Sequence, residues 1–93
     1  MADHTPAPSM RELRTRAGLT WIADRLTTEQ PDEPMTGEAA KMAARLYALE
    51  HADSAVANGV MWDLRRALPE VRRTDTRDTY AARLRLLVEG VTA

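Results

Sequence analysis

GEAAKMAARLYALEHADSAVANGVMWDLRRAL spans Gly37 to Leu68, and the fold turns on whether this stretch is one helix or two. Ala39, Met42, Leu46, Leu49, Val56, Val60, Leu64 and Ala67 form an apolar stripe at helical spacing. The stripe keeps its phase across Asn58-Gly59. The spacing therefore predicts one helix over about 37–68, with a kink or break at 58–59 as the alternative. Thr36 caps its start, with Glu38 in the favourable first turn. Pro69 stops it. At 1.5 Å per residue such a helix would be about 48 Å long. A compact chain of 93 residues is shorter than that, so an elongated or dimeric molecule is expected.

Asp53 interrupts the stripe between Leu49 and Val56. An unpaired buried carboxylate is costly. Either the helix bends there, or an arginine pairs with it, or that stretch is not buried. An arginine partner is the expected answer, which would make Asp53 a structural polar contact that sets register.

Working outward, the rest of the chain also reads as helix. Ser9 and Glu12 form a capping box for a helix from Met10. Gly18 is placed to end it, and Thr20 to cap a second short helix from Trp21 to about Glu29. QPDEPMTG, Gln30 to Gly37, is the clearest loop. The last helix is expected to be capped by Asp75 and to stop at Gly90. It carries Tyr80, Ala81, Leu84, Leu87, Val88 and Val91 on one face. The expected fold is all-α, a small helical bundle of four to five helices. Met1–Pro8 is expected to be a disordered tail before a single domain over 9–93.

MRELRTRAGLT, Met10 to Thr20, resembles the first helix of the Cro-type helix-turn-helix repressors in its Leu13, Ala17 and Leu19. The likeness extends faintly into WIADRL, Trp21 to Leu26. It implies DNA binding through a second short helix, a tight turn and a recognition helix. Here Glu29, Asp32, Glu33 and Glu38 lie where the turn and recognition helix should begin. Phosphate would repel them, so the motif at 10–29 reads as degenerate.

Composition limits what the core can be. Sixteen residues are alanine, phenylalanine is absent, and only Trp21, Trp62, Tyr47 and Tyr80 are aromatic. Alanine buries little area, which favours a partner or a second copy. The chain has no cysteine, which excludes disulfides and fits a cytoplasmic protein. No stretch approaches the ~20 apolar residues needed to cross a bilayer, so no membrane is expected. Twelve arginines against the single Lys41 suit high-GC coding, as in many bacterial and phage proteins.

The net charge of −1 hides two blocks. Asp24–Asp53 carries −4 and Arg65–Arg85 carries +4. Arg65, Arg66, Arg72 and Arg73 bracket Pro69 and could meet phosphates or an acidic protein. Trp62 and Leu86 point away from their apolar faces and mark a contact surface; tryptophan and arginine are common hot-spot residues.

Catalytic chemistry has little to use. His4 lies in the tail. His51 and Ser54 are three apart on a helix, but no oxyanion cradle accompanies them. Glu50, His51 and Asp53 point apart on a helix and do not make a zinc set. No catalytic residue, cofactor or metal is expected. The reading is a non-catalytic helical protein that binds a protein partner as adaptor, inhibitor or regulator. A homodimer is expected through Met42, Leu46, Leu49, Val56, Val60 and Leu64. The alternative is a nucleic-acid-binding regulator using the Arg65–Arg85 basic segment or the degenerate helix-turn-helix at 10–29.

Overall fold

The computed structural model describes residues 9–90. The sequence expectations for the tail at 1–8 and for Val91 lie outside them. Four helices follow one another: α1 (Met10–Thr28), α2 (Gly37–His51), α3 (Ser54–Ala67) and α4 (Arg77–Glu89). The described fold is all-α, and no helix in it is long and apolar enough to cross a membrane.

The count fits expectation, but the boundaries do not. The stretch 37–68 is two helices, and the break falls at Ala52–Asp53. Ala52 (φ −117°, ψ 148°) and Asp53 (φ −62°, ψ 145°) are extended. Asp53 is the N-cap of α3, and its carbonyl accepts from the Val56 and Ala57 N–H groups, each at 2.9 Å. Its carboxylate is exposed and sits at the positive end of the α3 dipole. Asn58 and Gly59 lie inside α3 without breaking it. The continuous apolar phase was the sum of two separate helix faces.

The opposite correction applies to α1. Met10 to Thr28 is one helix, not two. Ser9 caps it, its hydroxyl accepting from Glu12 N–H at 3.1 Å. Gly18 stays helical and is buried. A Cβ there would lie 2.6 Å from Leu64 Cδ2 and 3.1 Å from Tyr47 Cε2. Gly18 therefore marks where α1 meets the hairpin of α2 and α3. Thr20 donates back to the Arg16 carbonyl at 3.0 Å instead of capping a new helix. With a single helix over 10–28, the bihelical unit implied by the Cro-type resemblance does not form there.

α1 is the hub. Its Ile22, Ala23 and Leu26 are buried against the other helices. α4 packs along α1, while α2 and α3 pack on each other and on α1. Tyr80, Ile22, Leu26, Leu64 and Leu84 are the largest fully buried side chains. Small alanines such as Ala23, Ala44 and Ala81 let the helices close up. The molecule measures 49 × 35 × 20 Å. Its thin dimension is about two helix diameters, so a helix covered on one side is open on the other.

Two loops clasp each other beside the α4 start. The Met35 N–H donates to the Asp75 carbonyl at 2.9 Å, Arg77 N–H to Glu33 at 2.9 Å, and Asp78 N–H to Pro31 at 3.0 Å. Thr76, not Asp75, caps α4, in a reciprocal capping box with Thr79. Asp75 is instead buried. It accepts from Arg72 N–H at 2.8 Å, from Thr79 Oγ1 at 3.1 Å and from the Arg83 guanidinium. Burial pushes its carboxyl up, but these hydrogen bonds and the Arg83 charge outweigh that and hold it below the usual carboxylate value. Tyr80 donates its hydroxyl to the Pro69 carbonyl at 2.6 Å, and burial raises its pKa to about 12. Gly90 ends α4 as expected, in the left-handed region at φ 74°.

Candidate interaction surface

The α2–α3 hairpin turns Val60 and Leu64 inward and leaves other apolar side chains outside. Met42 is 55% exposed, Leu49 64% and Val56 43%. Met42 and Leu49 border an open groove of about 600 Å³ between the two helices. Ala48 and Ala57 also line it, beside Met61. Lys41, Arg45 and Arg65 stand at the same groove. Among the described residues Glu38 is the one acid there, and it lies 3.7 Å from Lys41. Neither Arg45 nor Arg65 forms an ion pair among the described residues.

Trp62 lies on another side of α3. It is 43% exposed, and the Arg65 guanidinium carbon stacks 4.5 Å from its ring centroid. A second, smaller concavity of about 370 Å³ lies here. Trp62, Arg65, Arg66, Leu68, Pro69 and Val71 line much of it. Arg65 thus borders both depressions. Arg66 is held by Asp63 at 2.5 Å. Asp63 also accepts two bonds from Arg11, at 2.5 and 2.8 Å, which ties α3 to the start of α1. The Arg11 hydrogen bond, opposed by burial and aided by Arg66, holds the Asp63 carboxyl below its usual value.

Of the residues singled out in the sequence, Trp62, Arg65 and Arg66 meet at one concavity. Arg72 and Arg73 are exposed on the loop before α4 and border neither depression. Leu86, 41% exposed on α4, also stands apart. Asp53 has no ion pair among the described residues, so the expected arginine partner is corrected to a helix break. The buried arginine pair belongs to Asp75. The dimer seam is altered too, because Val60 and Leu64 are spent inside the monomer. Folding the hairpin back removes the single long helix, but the molecule is still elongated, with a longest dimension of 49 Å.

Sequence reasoning missed Lys41 and Arg45 as partners of the exposed Met42 and Leu49. The signal was present, since Lys41, Arg45 and Leu49 repeat at four-residue spacing. His51 stacks on Tyr47 at 4.8 Å and meets Trp21 edge-on at 5.7 Å. Its ring belongs to an aromatic cluster at the hairpin tip. The opposite charge blocks touch where Arg85 meets Asp24 at 3.1 Å. Among the described residues, no group of three or more His, Asp and Glu could hold a metal ion. Comparison of the chain with known protein families, with curated proteins and with solved structures yields no match.

Proposed function

We propose that this chain is a small non-catalytic helical module that binds a protein partner stoichiometrically through its α2–α3 hairpin. The observation that carries this reading is the cluster of exposed Met42 and Leu49 beside Arg45 and Arg65, which form no ion pair among the described residues. Large apolar side chains grouped on a surface mark contact sites, and an arginine-bearing rim supplies orientation. An adaptor, inhibitor or regulator works in this way, without chemistry of its own.

A photoreactive residue in place of Leu49 tests the proposal in the cells that make the protein. It should capture one protein, and excess native chain should compete the capture away. The same residue in place of Thr20, exposed on α1, should capture nothing specific. Capture of a second copy at position 49 would make the module a homodimer through this face. Sub-micromolar nucleic-acid binding lost in an Arg65, Arg66, Arg72, Arg73→Gln variant would replace the proposal with the nucleic-acid reading.

A further inference from the structure

We infer that the α2–α3 groove seats an acidic amphipathic helix of a partner protein; this inference rests on the protein-binding reading above. The geometry is that of a helix-in-groove site. Two antiparallel helices leave a furrow along their shared outer side, and a third helix fills it. Ala48 and Ala57 keep the furrow low, which lets an incoming helix approach closely. Met42 and Met61 flank it, and methionine adapts its shape to an incoming side chain. α2 has 15 residues, so the furrow suits a partner helix of about four turns.

Charge selects the occupant. Among the described residues, Lys41, Arg45 and Arg65 line the furrow against Glu38 alone. Arg45 and Arg65 lack a carboxylate among the described residues, while Asp63 and Asp75 engage the arginines near them. A helix with leucines on one face and glutamates beside them would bury the apolar side chains and pair with both arginines. A second copy fits less well. A twofold interface sets the same patch against itself, which would oppose this cationic rim with its own image. A nucleic acid would pair with the arginines but leave Met42 and Leu49 without an apolar partner.

The probe is a synthetic fluorescent helix of about 16 residues, with leucines at i, i+3 and i+7 and glutamates flanking them. A second probe carries lysines in place of the glutamates. Fluorescence anisotropy with the full chain should show the glutamate probe binding about tenfold tighter than the lysine probe, since two rim pairs of modest strength differ. The double variant Arg45→Glu, Arg65→Glu should reverse that order. Leu49→Gln should weaken both probes, and its unfolding midpoint should match the native chain because Leu49 is exposed. Equal binding of both probes, no binding of either, a groove closed by dimerisation in light scattering, or tighter binding of a DNA duplex would each overturn the inference. Capture of a protein at position 49 with no preference between the probes would sink the acidic helix and leave the protein-binding reading standing.

Discussion

Gly18 and Gly59 both sit inside helices, and replacing each by alanine should have opposite effects. In a helix interior, alanine is about 1 kcal/mol more favourable than glycine. At Gly59 nothing lies within 4 Å of the new Cβ, so Gly59→Ala should stabilise the fold by about that amount. At Gly18 the new methyl would meet Leu64 Cδ2 at 2.6 Å, Leu64 Cδ1 at 3.0 Å and Tyr47 Cε2 at 3.1 Å. Leu64 has no exposed surface, so it can yield only by displacing close-packed neighbours. Such overpacking costs about 1–3 kcal/mol, and two crowded side chains place Gly18→Ala toward the upper end. After the helix gain is subtracted, a net loss of about 1–2 kcal/mol remains. The two variants should differ by about 2–3 kcal/mol, which separates their melting temperatures by about 10–20 °C in a domain of this size. Urea titration followed by far-ultraviolet circular dichroism measures both on one scale. If Gly18→Ala stabilises as much as Gly59→Ala, then α1 does not approach the hairpin at Gly18, and the packing described above is wrong.

Asp75→Ala should cost about 3 kcal/mol, because it strands a guanidinium and a backbone N–H. Asp53→Ala, at an exposed carboxylate with no side-chain cap bond, should change stability by about 0.5 kcal/mol or less; the reverse ranking in denaturant titrations would contradict both assignments. Asp63 and Asp75 have folded pKa values below their unfolded ones. The unfolded chain therefore binds more protons in acid, and stability should be level above about pH 5 and fall below pH 4. Asp75→Asn should shallow that fall, and an unchanged acid slope would count against its pairing. Gln30 holds φ 53° just after α1, so Gln30→Gly should raise the urea midpoint, by about 0.5–1 kcal/mol in stability; a lowered midpoint would refute strain at that turn.

Ser9, Thr36 and Gly90 were legible as helix ends because their chemistry is local: a hydroxyl reaching an N–H three residues on, or a residue free to turn left-handed. Gly18 and Ala52–Asp53 were not. At Gly18 the small residue serves a contact with Leu64, distant in sequence, and local reading takes that for a stop. At Ala52–Asp53 the hairpin turns without glycine or proline, while apolar spacing continues on the far side. The oddity of Asp53 within the stripe was the visible trace of the break. The exposure of Trp62 away from the apolar face of α3 was legible from its position. The groove was not, because Met42 and Arg45 meet Met61 and Arg65 only once the chain has folded back.

The clasp between the two loops gives the molecule a fixed end and a free one. Met35 N–H donates to the Asp75 carbonyl and the Tyr80 hydroxyl to the Pro69 carbonyl, so the start of α2 and the end of α3 are both tied to the beginning of α4. The turn at Ala52–Asp53 is at the opposite end of the hairpin. Adding a helical turn to both α2 and α3 there would lengthen the furrow by about 5 Å and leave the anchored ends where they are. Loop-closure cost rises only slowly with the extra residues. Growth at this tip would thus extend the furrow while the α1–α4 platform keeps its geometry.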